Sequence, residues 1–345
     1  MPTRRHELAT SEDVARIAGV SRATVSNFLN RSKYVSPQLS NRVKSAIQRL
    51  DYRPHGIARS LAVKKTYTIG LLVPRITSSF YPPIVSAVQR VLERAGYSTI
   101  LVESLEKQAG EATMFRVLTE KRVDGIIWAP CSSQNLPLAQ SLVASGFPVV
   151  IIDRRLSTRE LDMVVSDNEG AGRTGTRYLL SLGYRRILAL TFSQDLAPAR
   201  DRLTGYRRAM QEAGIGVERS LVCIAGKPAY GDASKKLAAI LRGTRRPEAI
   251  FACSDVLTLI TVKEARHAGL SIPRDLAVLG FDDTHWGPFV DPPLTVMTQD
   301  TQNMGTLAAR FLLHRLNEGR DEKPHLIGLP VKLLKRSSCG EGKAD

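Results

Sequence analysis

This 345-residue sequence contains few cysteines, and it has no long apolar run and no segment that resembles a leader peptide. Its four cysteines are scattered and form no Cys-x-x-Cys pair, which excludes a disulfide framework and favours reduced thiols. No apolar run approaches the roughly 18 residues of a membrane helix, and the longest are as short as Phe147–Ile152. The first twenty residues contain no apolar segment of a secretory signal. We therefore expect a cytoplasmic protein without membrane association.

Motifs of the common enzyme classes are absent as well. There is no Gly-x-Ser-x-Gly elbow and no phosphate-binding loop, and Gly214-Ile215-Gly216 lacks the third glycine of a dinucleotide fingerprint. The six histidines show no metal-ligand spacing. The sequence therefore predicts a protein that is not an enzyme and has no cofactor or metal site.

Acidic residues are scarce at the start of the chain. Residues 1–65 contain 13 basic and 4 acidic side chains, a net charge of +9 out of +16 for the whole chain. Such a concentrated positive field attracts a polyanion such as DNA. A solvated basic tail is the alternative, but a tail should be poor in apolar residues, and this segment is not.

The same segment has the pattern of three short helices. Thr10 is a candidate helix cap before Val14, Ile17 and Ala18, which recur at helical spacing. Gly19 supplies a turn, Ser21 caps a second helix, and Ser36-Pro37 begins a third. Two short helices around a glycine turn, completed by a third, predict a helix-turn-helix domain over residues 1–53. Three generic helices are the alternative, which the basic charge disfavours.

These residues resemble a known family. EDVARIAGVSRATVSNFLN, YVSPQLSNRVKSAIQRLDYRP and IARSLA are similar to the start of the lactose-repressor (LacI/GalR) regulators, and the resemblance covers nearly the whole chain. It implies a hinge at residues 54–65 that becomes helical on operator DNA, with Leu61 as a wedge in the minor groove. Asn27 and His55 depart from the family, which usually has Arg and Asn at these positions.

The second helix should present its first residues to base edges in the major groove. Arg22 suits guanine and Asn27 suits adenine, and Ala23 and Thr24 also face base edges. The residues that suit phosphates are Ser21, Ser26 and Asn30. Capping and solvation are the alternative for each of them, and local packing is the alternative for Leu61. The predicted DNA-contacting residues are Ser21, Arg22, Ala23, Thr24, Ser26, Asn27, Asn30, Arg59 and Leu61.

From Tyr67 onward short apolar runs alternate with helical patterns. This alternation predicts parallel sheets with helices on both faces, and the length predicts two such lobes. The resemblance implies a two-lobed periplasmic-binding-protein-like (type I) effector domain, with crossings near Ser166, Gln299 and Leu326. One lobe would comprise residues 66–165 and 300–327, and the other residues 166–299 and 328–345.

A ligand of such sheets sits beyond the carboxyl ends of the strands, where polar side chains follow the apolar runs. Two carboxylates with an arginine suit polyol recognition. A strand-end aspartate can alternatively cap the next helix or form an ion pair with an arginine in the wall of the cleft. Asp255 and Asp283 are assigned such structural roles, and Trp128 is either a stacking surface or part of the core. The predicted effector-binding residues, most of them implied by the resemblance, are Phe80, Tyr81, Asp153, Arg200, Ser254, Asp282 and Gln299.

The sequence therefore predicts a ligand-responsive transcription regulator, a repressor of carbohydrate genes that binds a palindromic operator as a homodimer. No leucine heptads follow residue 334, which favours a dimer over a tetramer. A carbohydrate effector would change the angle between the lobes and so the separation of the hinges. Two alternatives stay open: a transporter's solute-binding protein, and a regulator controlled by a partner protein.

Overall fold

The structure is a computed structural model that describes residues 9–30, 33–52, 65–226, 230–317 and 322–340, without the side chains of residues 30, 230 and 231. The chain divides into two units, Met1–Tyr67 and Thr68–Asp345. The predicted hinge residues Arg59 and Leu61 and the side chain of Asn30 lie outside the described part.

The described residues form eleven α-helices and twelve strands. The helices are α1 Ser11–Ala18, α2 Arg22–Asn30, α3 Pro37–Arg49, α4 Tyr81–Arg94, α5 Gln108–Glu120, α6 Leu136–Ala144, α7 Asn168–Ser181, α8 Ala197–Glu212, α9 Tyr230–Arg242, α10 Asp255–His267 and α11 Thr301–Asn317. The strands are β1 Thr68–Val73, β2 Ser98–Glu103, β3 Gly125–Trp128, β4 Val149–Asp153, β5 Asp162–Ser166, β6 Ile187–Thr191, β7 Val222–Ile224, β8 Ala249–Ala252, β9 Ala277–Phe281, β10 Thr295–Thr298, β11 Leu326–Leu329 and β12 Lys332–Leu334.

The first unit is the predicted three-helix module, and its caps explain where the helices begin. Thr10 and Asp13 form a reciprocal capping box at α1, and Gly19 ends that helix with a left-handed φ of 60°. Ser21 Oγ accepts a hydrogen bond of 3.1 Å from the backbone N–H of Thr24 at the start of α2. Ser36 caps α3 in the same way, ahead of Pro37 at its first position.

The core of this unit is small. Val14, Val25 and Val43 are fully buried, one from each helix. Ile17, which the apolar spacing grouped with Val14 and Ala18, is instead 41% exposed. The stripe that packs inward contains Val14, Ala15 and Ala18, and at about 100° per residue Ile17 lies on its flank.

The second unit contains two doubly wound α/β lobes. The first lobe is built on a six-stranded sheet in the order β11-β5-β4-β3-β1-β2, and the second on a sheet in the order β12-β10-β9-β8-β6-β7. Neighbouring strands run parallel except β10 and β12. In each sheet the strand order reverses around one strand, β1 or β6, which places the ligand position beyond the carboxyl ends of the neighbouring strands.

The chain crosses between the lobes three times. It leaves the first sheet after β5, which ends at Ser166, and returns after β10, which ends at Thr298. The third crossing was predicted near Leu326, but β11 pairs with β5 as far as Leu329, and the crossing follows it. The four-residue register between β11 and β5 therefore moves this boundary from residue 327 to about residue 330.

Trp128 belongs to the core of the first lobe rather than to a stacking surface. It is fully buried, its ring packs edge-on against Phe115 at 5.0 Å, and its Nε1 donates to Glu111 Oε1 at 2.9 Å. The same carboxylate accepts from the backbone N–H of Cys131 and from Asn135 Nδ2. The indole N–H of Trp128 therefore has a partner inside the protein, as buried tryptophans require.

Candidate functional site

The described first unit presents the start of α2 to solvent. Arg22, Ala23 and Ser26 are exposed, Thr24 and Asn27 are half-buried, and Val25 anchors the helix in the core. Ser21 is held in place by its capping bond and by a 2.9 Å contact between its Oγ and Thr24 Oγ1. This face can enter a major groove, but the individual DNA contacts remain predictions.

Replacing Arg22 with alanine tests the predicted register on DNA. A bidentate arginine–guanine pair contributes about 1–3 kcal/mol of discrimination, so the change should relax base preference at one position of each half-site. Operator selection from random DNA measures this. Arg49→Ala, which removes an exposed positive charge at the end of α3, is the control and should leave base preference unchanged. Unchanged preference in the Arg22 variant would place this helix in another register.

A cavity of about 140 Å³ lies between the two sheets of the second unit, enough space for several water molecules or one small ligand. Its wall contains six of the seven predicted effector-binding residues, and Arg200 is the exception. The residues that form this wall are Arg75, Ser78, Phe80, Tyr81, Glu106, Asp153, Arg154, Phe192, Leu196, Pro198, Ala199, Arg202, Cys253, Ser254, Asp255, Val256, Asp282 and Gln299.

Two aspartates occupy corresponding places at the carboxyl ends of β4 and β9. Asp153 has φ 64° and Asp282 has φ 66°, both in the left-handed region that residues other than glycine rarely adopt. Backbone conformations of this kind cost free energy, and they tend to persist at binding sites, where the surrounding structure fixes them. Both aspartates line the same cavity, Asp153 from the first lobe and Asp282 from the second.

Arg202, not Arg200, is the cavity arginine. Arg202 is 5% exposed, whereas the Arg200 side chain is 53% exposed, pairs with Asp201 at 3.0 Å and lines a separate open groove. The two residues are two positions apart on α8, which turns them about 200° from each other. Arg202 shares the buried face of α8 with Gly205 and Tyr206, so helical spacing back from those two residues would have identified it.

The Arg202 guanidinium is fixed on three sides. Its Nε donates to Asn168 Oδ1 at 2.7 Å, its Nη1 donates to the carbonyl oxygen of Cys253 at 2.8 Å, and its Cζ lies 3.5 Å from the centre of the Phe281 ring. Burial lowers the pKa of Arg202, while the negative charges of Asp282 and Asp153 oppose that shift. Among the described residues, Nη2 has no protein acceptor and remains able to donate to a ligand.

Gln299 contributes an acceptor without a partner. Its Nε2 donates to Asp282 Oδ1 at 2.7 Å, but its buried Oε1 has no hydrogen-bond partner among the described atoms. A buried acceptor without a donor is costly, and a ligand hydroxyl in the cavity would remove that cost. Gln299 and Arg202 therefore offer one acceptor and one donor to the same occupant.

The remaining predicted residues shape the wall. Tyr81 Oη donates to Asp153 Oδ2 at 2.8 Å, and the Phe80 ring packs edge-on against Tyr81 at 5.1 Å, which leaves both aromatic residues buried. Ser254 lines the cavity, but its hydroxyl caps α10 by accepting from the N–H of Leu257 at 3.2 Å. Ser254 thus combines the capping role with a place in the wall.

Asp255, which the sequence assigned to a structural role, joins the lobes. Its Oδ2 accepts from Ser78 Oγ at 3.3 Å and from the backbone N–H of Ser79 at 3.2 Å. The two serines follow β1 in the first lobe, whereas Asp255 begins α10 in the second. A rotation of one lobe against the other would strain or break these bonds.

Asp282 is poised to change its protonation state near neutral pH. Burial raises the pKa of Asp282 from 3.8 to about 7, with the negative charges of Asp255 and Asp153 adding to the rise. The Arg202 charge and the hydrogen bond from Gln299 oppose it. At neutral pH this carboxyl can therefore either donate to or accept from a ligand hydroxyl.

Replacing Asp282 with asparagine should stabilise the ligand-free protein at high pH. Because the folded state holds the proton more tightly than the unfolded chain, Asp282 costs no stability below pH 4, and its cost grows until the pH reaches about 7. The gain in thermal midpoint for Asp282→Asn should therefore increase between pH 5 and 7 and stay constant above. Thermal unfolding across this range measures it. A gain that is independent of pH would show that the carboxyl of Asp282 titrates normally.

Comparisons with known proteins agree with this architecture. Residues 10–55 match the model of bacterial regulatory proteins of the lacI family, and residues 176–339 match that of the periplasmic binding protein-like domain. In the described part of the chain no helix is long and apolar enough to cross a membrane, and no cluster of three or more His, Cys, Asp or Glu residues could hold a metal ion.

Relatives align over nearly the full length. The ribose operon repressor of Escherichia coli K12 is 32% identical over 96% of this chain and 100% of its own. The HTH-type transcriptional repressor PurR of Vibrio atlanticus is 31% identical over 96% of this chain and 98% of its own.

Solved structures with the same fold include two regulators. The lac repressor dimer bound to operator and the anti-inducer ONPF superposes with a TM-score of 0.86 at 25% identity, over 97% of this chain and 100% of that one. The transcriptional regulator CelR in complex with cellobiose gives a TM-score of 0.71 at 32% identity, over 96% and 99%. The chain therefore belongs to the lacI family of bacterial regulatory proteins, which are DNA-binding transcriptional regulators rather than enzymes.

Proposed function

We propose that a small polyol, a sugar or sugar derivative, binds in the cavity between the two lobes and controls the affinity of this regulator for its operator. The observation that carries the proposal is the convergence of Arg202, Asp153, Asp282 and Gln299 on one cavity. Carboxylates accept hydrogen bonds from hydroxyl groups, and a guanidinium donates to hydroxyl and ring oxygens. Relatives named for ribose or solved with cellobiose are consistent with this class of ligand.

The ligand would act by bridging the lobes. Asp153 ends a strand of the first lobe, whereas Arg202 and Asp282 belong to the second, so a polyol bound to all three favours one arrangement of the lobes. Binding energy can shift an equilibrium only by the difference in affinity for its two states. The bonds from Ser78 and Ser79 to Asp255 add a protein contact that depends on the same arrangement.

On DNA, α2 would read each half-site through Arg22, Ala23, Thr24 and Asn27, while Ser21, Ser26 and Asn30 would contact phosphates. Arg59 and the Leu61 wedge would complete the contacts from the hinge. Each chain carries one reading helix, so a palindromic operator requires a homodimer. Exposed aliphatic side chains at the sheet edges support such a dimer: Leu101 on β2 and Ile224 on β7 occupy corresponding edge strands of the two lobes.

The experiment that tests the proposal is a thermal-shift screen of sugars, sugar acids and nucleosides on the full-length protein, paired with selection of operators from random DNA. We expect a compound of the polyol class to raise the thermal midpoint and to change affinity for the selected operator. If no small molecule binds and a partner protein alone changes operator affinity, control by a partner would replace control by a ligand.

A further inference from the structure

One charged side chain in the cavity wall has no partner in the part of the chain that the structure describes. The seven charged residues that line the cavity are Arg75, Glu106, Asp153, Arg154, Arg202, Asp255 and Asp282. Arg154 holds Glu106 through two hydrogen bonds of 2.8 and 2.9 Å, and the other four make the hydrogen bonds described above. Among the described residues, Arg75 alone of this set forms no ion pair and no hydrogen bond.

The backbone beside Arg75 is nevertheless fixed. It lies in the turn that follows β1, is half-buried, and precedes Ile76, whose backbone N–H donates to the Glu103 carboxylate. Three residues further on, Ser78 and Ser79 bond to Asp255. The backbone on the C-terminal side of Arg75 is thus anchored to both lobes, so this segment loses little backbone entropy when Arg75 binds a ligand.

A half-buried guanidinium without a counter-charge lowers the free energy of an anion beside it. The groups that suit hydroxyls, Arg202, Asp282 and Gln299, belong to the second lobe and its boundary, whereas Arg75 belongs to the first. The carboxylates in the wall repel an anionic group, so the anion of a ligand is favoured beside Arg75, whose charge is paired with no carboxylate among the described residues.

We propose that the effector is an anionic polyol, a sugar derivative whose carboxylate or phosphate pairs with Arg75 while its hydroxyls bind Arg202, Asp282 and Gln299. This inference rests on the proposed polyol site and narrows its ligand class. A planar carboxylate can accept two parallel hydrogen bonds from the guanidinium, and a phosphate offers the same pair of oxygens. An anionic end on the first lobe and a hydroxylated end on the second also make the ligand a bridge between the lobes.

Matched sets of compounds test it. Ribose, ribonate and ribose 5-phosphate form one set, and glucose, gluconate and glucose 6-phosphate form another. Calorimetric titration of the full-length protein should show one anionic form binding about 10- to 100-fold more tightly than the neutral sugar with the same carbon number, as expected for a charged hydrogen-bonded pair. Comparison of the acid with the phosphate identifies which anion the site takes.

Variants then assign the preference to Arg75. Arg75→Gln should remove the advantage of the anionic form and leave affinity for the neutral sugar within about twofold, and Arg75→Lys should retain part of the advantage. Arg200→Gln removes the same charge from an exposed residue outside the cavity and should leave the advantage unchanged.

The possible outcomes distinguish failure of the anionic ligand class from failure of the proposed polyol site. Neutral sugars that bind as tightly as the anionic forms, with no effect of Arg75→Gln, would overturn the anionic class and leave the polyol site standing. An advantage that survives in Arg75→Gln would also overturn the assignment. If no member of either set binds while a neutral polyol from the ligand screen does, the anionic class is overturned and the polyol site stands.

Discussion

Replacing Arg202 with methionine is expected to abolish the response of operator binding to the effector. Methionine fills a similar volume but donates no hydrogen bond, so it leaves Asn168 Oδ1 and the Cys253 carbonyl without their donor and removes the cation beside Asp282. Loss of one partner from a buried charged network lowers folding stability by about 3–5 kcal/mol. The lost charged hydrogen bond to the ligand should lower ligand affinity by about 10- to 150-fold. Calorimetry and operator titration of the purified variant measure both effects.

A matched control lies on the same helix. Arg200→Met makes the same chemical change two residues away, outside the cavity, and should alter neither ligand affinity nor operator response. If Arg202→Met unfolds, Arg202→Lys keeps the charge and a single donor group, and about a tenfold weaker ligand affinity is expected from it. A folded Arg202→Met protein that responds at the same ligand concentration as the unchanged protein would show that the ligand binds elsewhere.

Gly205→Ala should be strongly destabilising because α7 and α8 touch backbone to backbone. A methyl group on Gly205 would lie 2.0 Å from the Glu169 carbonyl oxygen and 2.6 Å from the Arg173 nitrogen, and one on Gly172 would lie 2.1 Å from the Arg202 carbonyl oxygen. The helices must separate to admit it, and overpacking of this kind costs about 1–3 kcal/mol or more. For a unit of this size we expect the thermal midpoint to fall by about 2–6 °C.

The same close contact between α7 and α8 sets the position of Arg202 relative to Asn168, which lies at the start of α7. The Gly205 variant should therefore also bind ligand more weakly at temperatures where it remains folded. Gly216→Ala is the control, since its added methyl group meets no atom within 4 Å, and we expect its midpoint to stay within about one degree. Equal midpoints for the two variants would contradict the close approach of the helices.

Elements with strong local determinants were predictable from sequence. The caps at Thr10 and at Ser36-Pro37 mark helix starts that the structure reproduces, since a side-chain oxygen before a helix satisfies N–H groups that have no partner within the helix. The short apolar runs became the strands of two parallel sheets, because strands covered on both faces contain almost only apolar residues.

Where a feature depends on tertiary contacts, the sequence did not predict which individual residue provides it. The cavity wall contains Arg202 instead of the predicted Arg200, whose assignment followed the family resemblance and not the buried face of α8. The role of Trp128 depends on Glu111, a partner 17 residues away whose proximity only the folded sheet creates. That Arg75 has no partner among the described residues likewise depends on which side chains the fold brings to the cavity wall.

The most direct test of the central claim is reciprocal titration of the full-length protein with its operator and with the tightest-binding compound of the ligand screens. If the cavity between the lobes controls DNA binding, the ligand will change operator affinity by some factor, and saturating operator will change ligand affinity by the same factor. Arg202→Met should show neither change. A ligand that binds in an Arg202-dependent manner but leaves operator affinity unaltered would contradict the account.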